Sequence, residues 1–212
     1  KKLDELDVDA VYIQKCGKKD EGRFVNNKPM LIHVVGCEND PHGEVYAYVS
    51  EWLSKEFSNY AHPYVPYMAH LPEHNEDFRD ELDIPKEATV FSRIGGFYSW
   101  NIPFVNGAIE QALQHRDDIY FLFVQTHPFV DHPRVIHIDP FADLNTKRKF
   151  INTSDAFLHA RLEGESFGMS CAEYSICNKP VITYSASPER NHIFTLGDKG
   201  IYFDGPQKLL DI

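Results

Sequence analysis

The sequence predicts an α/β protein whose strands form parallel sheets with helices on both faces. The main observation is a regular alternation of short apolar segments with helical patterns from residue 89 onward. One apolar segment, IYFLFVQT (residues 119–126), is nearly continuous, which is typical of a parallel strand buried on both faces. Strands that alternate with helices in this way form βαβ units, and successive units build a parallel sheet.

The composition is that of a globular chain and argues against several classes of function. The 212 residues are 42% hydrophobic and 25% charged, and the net charge of −11 disfavours nucleic acid or an anionic membrane as the main partner. No apolar stretch approaches the roughly 20 residues of a membrane span, and the start KKLDELDVDA does not resemble a signal peptide. The four cysteines include no CxxC pair, which indicates reduced thiols of an intracellular protein.

The first part of the chain has fewer elements. Strands are expected at AVYIQK (residues 10–15), MLIHVV (30–35) and YAYVS (46–50), followed by a short helix at SEWLSKEF (50–57). The segment NYAHPYVPYM then carries two prolines, which suit a linker or an edge strand. We therefore expect an abbreviated N-terminal domain over residues 1–62 and a larger domain over residues 63–212. A polar helix is expected at EHNEDFRDELDI, before the second sheet begins.

The larger domain carries the alternating pattern. Its helix over residues 101–116 has apolar residues at helical spacing, and Asn178 with Pro180 ends a later helix. The expected elements are the strand TVFSR (89–93), the helix NIPFVNGAIEQALQHR (101–116), the strands at 119–126 and RVIHID (134–139), the helix FADLNTKRKFINTS (141–154), the strand AFLHAR (156–161), the helix FGMSCAEYSIC (167–177), and the strands PVITYS (180–185) and GIYFD (200–204).

Two acids eight residues apart, Glu165 and Glu173, flank the turn that follows AFLHAR. In open parallel sheets, ligands bind beyond the carboxyl ends of the strands. A helix that begins near Phe167 or Gly168 presents free backbone N–H groups and a partial positive charge, which suit a phosphate. Gly168 lets a ligand approach the backbone closely, and carboxylates accept hydrogen bonds from sugar hydroxyls. One acid would then hold a sugar and the other a ribose, with a diphosphate between them.

The same spacing also fits a purely structural interpretation. An acid in the first turn of a helix is common because it favours the helix dipole, and Glu173 would then be a solvated residue on the helix face.

The run from Glu165 to Glu173, followed by NKPVI, resembles the E-x7-E signature of retaining glycosyltransferases with the GT-B fold, above all glycosyltransferase family 4. The segments TVFSRIGG and DAFLHARLEGESFG also resemble this family, and the resemblance covers about residues 89–204. Compact sequences of this kind also occur among the glycosyltransferases that large DNA viruses encode. The resemblance implies a GT-B fold with Rossmann-like parallel sheets in two domains, of which the N-terminal one is abbreviated here.

The resemblance also implies roles for individual residues. Arg93 matches the arginine that pairs with the donor diphosphate, Glu165 matches the glutamate at the transferred sugar, and His42 lies where a histidine could approach that sugar. His42 is equally consistent with an ordinary turn histidine beside proline and glycine. The lysine that usually follows the arginine is missing, and Arg161 or Lys15 are candidates to replace it. The residues implied to bind the donor are Gly95, Gly96, Arg161, Ser166, Phe167, Gly168, Met169 and Glu173.

The implied activity is the transfer of a hexose from a UDP- or GDP-linked sugar to a hydroxyl of a glycan or glycoprotein, with retention and without a metal or cofactor. The enzyme would be intracellular, in the host cytoplasm if it is viral. Two alternatives stay open: a sugar-nucleotide epimerase of similar fold, and a catalytically silent binding or scaffold domain. Slow donor hydrolysis would distinguish the transferase from both.

Other motifs are weak. The histidine pairs at HLPEH and around Pro133 lack the spacing of metal ligands, and no cluster of cysteine and histidine supports a structural metal. Neither the dinucleotide-binding motif G-x-G-x-x-G nor the P-loop motif occurs.

Overall fold

A computed structural model describes residues 5–20 and 27–212. These residues form two compact units. The first includes the chain up to Met68 together with Glu165–Phe167, and the second includes Ala69–Gly164 and Gly168–Ile212. The predicted domain boundary between residues 62 and 63 stays a prediction.

The first unit is built on a three-stranded parallel sheet in the order β1-β2-β3. The strands are β1 (Val11–Lys15), β2 (Met30–Val34) and β3 (Val45–Tyr48), and helix α1 (Glu51–Ser58) follows β3. Ser50 caps α1 by accepting a hydrogen bond from the Leu53 amide at 3.2 Å. Apolar residues of β2, β3 and α1 form one buried cluster, which is the core of this unit.

The tyrosine-rich segment after α1 continues the edge of this sheet. Tyr64 forms a single parallel bridge with Tyr48, and the Val65 amide donates to the Tyr48 carbonyl at 2.8 Å. An edge position suits this segment because its prolines lack an N–H to donate to a further strand.

The polar helix expected from residue 73 to residue 84 is wrong. Residues 78–83 form turns and bends, in which the Leu82 amide donates to the Phe78 carbonyl at 3.0 Å. Asp83 has a left-handed backbone conformation, with φ of 52°, and Pro85 disfavours a helical conformation at the residue before it. One turn therefore forms and no helix extends from it.

The second unit contains a six-stranded parallel sheet in the order β11-β9-β7-β4-β5-β6. Its helices lie on both faces of the sheet. On each face, apolar side chains of the helices and the strands form a buried cluster. The elements of this unit are β4 (Thr89–Ile94), α2 (Val105–His115), β5 (Ile119–Val124), β6 (Val135–Ile138), α3 (Leu144–Thr153), β7 (Ala156–His159), α4 (Met169–Ile176), β9 (Val181–Tyr184), α5 (Asn191–Leu196), β11 (Ile201–Phe203) and α6 (Pro206–Leu210), with the two-residue strands β8 (Gly164–Glu165) and β10 (Glu189–Arg190) between them.

The strand order decides where a ligand can bind. Read from β6 to β11, the sheet runs in chain order 3-2-1-4-5-6, and the direction of winding reverses between β4 and β7. Loops leave these two neighbouring strands on opposite faces, which opens a crevice at their carboxyl ends. The parallel sheet with helices on both faces that the sequence predicts is confirmed.

Candidate functional site

The carboxyl ends of β4 and β7 lead directly into the segments that the sequence singled out. β4 ends at Ile94 and continues into the glycines Gly95 and Gly96, while β7 ends at His159 and continues into the segment before α4. Because both strands end at the same edge of one sheet, the topology brings Gly95, Gly96 and the residues directly after His159 to one end of the second unit.

Arg93 is buried, with 3% of its surface exposed. Its side chain holds together the loops that follow β4 and β5, because both terminal nitrogens donate to protein oxygens. The acceptors, at 2.6–3.3 Å, are the carbonyls of Gly95, Gly96, Val124 and Gln125 and the hydroxyls of Ser99 and Thr126. Direct pairing of Arg93 with a diphosphate stays a prediction.

The two glycines beside Arg93 have different surroundings. A Cβ atom at Gly95 would lie 2.9 Å from the Arg93 Nη2 atom, so this glycine makes room for the guanidinium. At Gly96 the nearest atom to such a Cβ is the Ser99 Oγ at 3.9 Å. Gly96 is also exposed, so its backbone is the more accessible of the two.

Two left-handed glycines bracket the turn that contains Glu165. Gly164 has φ of 79°, and a Cβ atom there would lie 2.0 Å from the Glu189 carbonyl oxygen. Gly168 has φ of 90° and is the N-cap of α4, where no side chain caps the first N–H groups. Both conformations favour glycine strongly. Within the first unit, the ring of Phe167 packs against Tyr67 with centroids 5.2 Å apart.

The carboxylate of Glu173 is buried in the second turn of α4, with 7% of its side chain exposed. Lys147, on α3, donates to its Oε1 atom at 2.8 Å. The structural alternative, in which Glu173 is a solvated residue on the helix face, is therefore wrong. Sequence reasoning missed Lys147, since it lies 26 residues away in a run of three cations that looks like an ordinary basic helix face.

Capping and packing fix the two helices that carry this ion pair. The Asp143 carboxylate caps α3 by accepting from the Thr146 amide at 2.7 Å, and this hydrogen bond lowers the pKa of Asp143. On α4, Tyr174 stacks on Phe157 of β7 with centroids 4.3 Å apart. Its hydroxyl lies 2.6 Å from the Ser92 hydroxyl of β4, and burial raises the pKa of Tyr174. Tyr174 thus locks α4 against the two strands of the crevice.

Arg161 has local acidic and backbone contacts. Its Nε atom lies 3.7 Å from the Glu163 carboxylate, and its own carbonyl accepts from the Ser187 hydroxyl at 3.1 Å. Hydrogen bonds from Asn101, together with the charge of Arg161, lower the pKa of Glu163. The role of Arg161 as a donor-binding cation stays a prediction.

His42 lies in the first unit and is buried beside Lys15. The His42 Nδ1 atom is 2.6 Å from the Asp40 carbonyl, and because a carbonyl only accepts, Nδ1 donates. Nε2 then accepts from the Lys15 ammonium at 3.2 Å. Lys15 also pairs with Asp20. Both His42 and Lys15 are thus engaged in one buried polar cluster, and their predicted roles at the transferred sugar and at the diphosphate stay predictions.

The described residues contain neither a cluster of metal ligands nor a membrane-spanning helix. Within residues 5–20 and 27–212, no group of three or more histidine, cysteine, aspartate or glutamate side chains could hold a metal ion. The helices in this part of the chain are all too short or too polar to cross a membrane. The four cysteines form no disulfide.

No protein-family profile and no curated protein matches the sequence. Solved structures do match. The Anabaena protein Alr3699/HepE in complex with UDP-glucose is 14% identical, with a TM-score of 0.63 over 87% of this chain and 61% of that chain. A glycosyltransferase from Rickettsia africae is 18% identical, with a TM-score of 0.62 over 88% and 59%. TarM is 11% identical, with a TM-score of 0.65 over 99% and 49%.

The fold is of the GT-B type. The chain spans about three fifths of the length of the first two structures and about half of TarM. A GT-B-type fold accommodates more than one chemistry, so the function has to be argued from the site itself.

Proposed function

We propose that this chain is a retaining glycosyltransferase that moves a hexose from a nucleoside diphosphate sugar to a hydroxyl of a glycan or glycoprotein acceptor, without a metal. The observation that carries the proposal is the placement of Glu165 and Glu173 around the start of α4, after the strand at which the sheet reverses its winding. The crystal structure of HepE with UDP-glucose supports a uridine nucleotide as the first donor to test.

Backbone groups and positive charge would bind the diphosphate in this proposal. The first N–H groups of α4 have no side-chain cap, and the start of a helix carries a partial positive charge. Arg93 contributes through its charge and through the loop that it braces at Gly95 and Gly96. A fixed positive field of this kind stabilises the leaving diphosphate as the bond to the sugar breaks.

The two acids have separate tasks. Glu165, in the turn before α4, would face the transferred sugar and favour the positive charge that develops on its ring in an oxocarbenium-like transition state. Glu173, one turn into α4, would accept hydrogen bonds from the ribose hydroxyls of the donor. The burial of Glu173 supports this task. Few water molecules compete for a carboxylate that is largely buried, so a hydrogen bond from a ribose hydroxyl to it is strong.

The first experiment is calorimetric titration of UDP, GDP and ADP in the presence of a metal chelator, on the wild type and on Glu173→Gln. We expect one diphosphate to bind and the variant to bind it about tenfold to a hundredfold more weakly, the loss of a hydrogen bond to a charged group. Glu110→Gln, which removes an exposed acid of α2, is the matched control and should bind normally. Failure of the wild type to bind any of the three nucleotides would contradict the proposal.

The second experiment separates the transferase from the alternatives. Incubation with the sugar donor of the bound nucleotide should release the diphosphate slowly without an acceptor, and Glu165→Gln should lose this hydrolysis while it still binds the diphosphate. Nuclear magnetic resonance of the released sugar reports retention or inversion. A silent binding domain is favoured by the engagement of both Arg93 terminal nitrogens with protein oxygens, and it would bind the nucleotide without hydrolysis. An epimerase would interconvert the sugars.

A further inference from the structure

The ion pair between Lys147 and Glu173 has unused hydrogen-bonding capacity on both sides. Glu173 Oε1 accepts from Lys147 Nζ at 2.8 Å. In the part of the chain that the structure describes, Glu173 Oε2 has no hydrogen-bond partner, and Lys147 Nζ donates to no other acceptor. One carboxylate oxygen and two ammonium N–H groups therefore remain for a ligand.

The degree of burial of the pair argues against a purely stabilising role. The Glu173 side chain is 7% exposed and that of Lys147 is 22% exposed. Removing two charges from water is costly, and their attraction offsets this cost only when the remaining lone pairs and protons also find partners. Here no protein group within the described residues supplies them, and neither Glu173 Oε2 nor the Lys147 side chain is fully buried, so both are open to water or to a ligand. This arrangement is expected of a pair that completes its hydrogen bonds with a bound molecule.

The chemistry of the pair matches a vicinal diol. Each hydroxyl of a diol has one proton to donate and two lone pairs to accept with, whereas a carboxylate only accepts and an ammonium only donates. Glu173 can therefore accept a hydrogen bond from one hydroxyl, while Lys147 donates a hydrogen bond to a hydroxyl oxygen. A nucleotide with a ribose presents such a diol at its 2′ and 3′ positions.

We propose that Lys147 and Glu173 together bind the ribose diol of the donor, which makes Lys147 a specificity-determining residue for ribonucleoside diphosphates. This inference rests on the proposed function and goes beyond it, because Lys147 lies outside the motif that carries Glu173. A site built to hydrogen-bond a hydroxyl rejects the analogue that lacks it, since its buried polar groups are then left without partners.

The test measures the binding of UDP, 2′-deoxy-UDP and 3′-deoxy-UDP by calorimetry to the wild type, Lys147→Met and Lys147→Arg. The methionine variant keeps most of the length of the side chain and removes its charge and donors. We expect the wild type to bind UDP at least about tenfold more tightly than either deoxynucleotide. Lys147→Met should bind UDP about tenfold more weakly than the wild type does. Its affinity for one of the two deoxynucleotides should change little, and the hydroxyl that this nucleotide lacks is the one that Lys147 binds. Lys147→Arg should retain part of the preference.

Lys149→Met is the matched control. Lys149 lies on the same helix and pairs with Glu81, so its loss removes an equal charge and an ion pair from α3. This variant should keep the preference of the wild type for UDP.

Four results overturn the proposal. If the wild type binds the deoxynucleotides as tightly as UDP, the diol is not recognised. If Lys147→Met weakens all three ligands equally, Lys147 acts through its charge or its structural contacts alone. If Glu173→Gln binds UDP more weakly and Lys147→Met does not, the donor site is supported and Lys147 has no role in it. A wild type that binds none of the three nucleotides overturns the proposed function together with this inference.

Discussion

At the scale of single residues, Arg93 shows how a cation expected to face a ligand can serve the protein itself. Arg93 is 3% exposed, and its guanidinium donates to carbonyls of the loops after both β4 and β5. Arginine suits this position because its planar fork donates in several fixed directions at once, which a lysine ammonium does not do.

We expect Arg93→Lys to lower the free energy of unfolding by about 2–4 kcal/mol, because buried acceptors in both loops lose their partners. The measurement is urea unfolding followed by circular dichroism. The control is Arg116→Lys, at an exposed arginine that pairs with Asp118, and it should change the midpoint little. Equal midpoints for the two variants would show that the loops after β4 and β5 do not depend on the guanidinium.

At the scale of elements, the position of α4 depends on Tyr174. The tyrosine is fully buried, stacks on β7 and joins its hydroxyl to that of Ser92 on β4. Since Glu173 is the neighbouring residue, the same contact that fixes the helix also fixes the direction of the carboxylate.

Tyr174→Phe should cost about 1–2 kcal/mol of stability, because the Ser92 hydroxyl is left buried without its partner. Chemical denaturation of Tyr174→Phe, Ser92→Ala and the double variant measures the coupling of the two side chains. The double variant should be little less stable than either single variant. Tyr98→Phe, at a ring that is 90% exposed, is the control. Fully additive losses would rule out a contribution from this hydrogen bond.

At the scale of the whole molecule, each unit has a core of its own. Both buried clusters of the larger unit consist of residues between 69 and 212, whereas the cluster of the first unit consists of residues before 68, with Phe167 packed against it. A unit with a complete core can fold alone.

We therefore expect the fragment 69–212 to unfold cooperatively, as followed by circular dichroism during thermal unfolding, and to bind the same diphosphate as the full chain in calorimetry. The fragment 63–212, which begins at the predicted domain boundary, is the comparison, and the two should have similar midpoints. A fragment 69–212 without a cooperative transition would mean that its core depends on the rest of the chain.

Much of the fold could be predicted from local pattern. Continuous apolar runs and helical spacing indicate the six strands of the larger sheet and the helices α2, α3 and α4, because a strand buried on both faces and a helix buried on one face differ in hydrophobic periodicity. The short helices α5 and α6 and the two-residue strands β8 and β10 were not predicted. The helix expected at residues 73–84 does not form. Its polar residues fit a helical pattern, but the left-handed Asp83 and the following Pro85 end the turn at residues 78–83.

The sequence by itself determined the order of the six strands of the larger sheet and of the helices α2, α3 and α4, and the turn with two glycines and two acids, because these depend on neighbouring residues and on local backbone conformation. Only the tertiary structure decided which cation meets Glu173 and what Arg93 contacts. Lys147 lies 26 residues from Glu173, and the partners of Arg93 after β5 lie up to 33 residues away along the chain, so these contacts are set by how strands and helices pack.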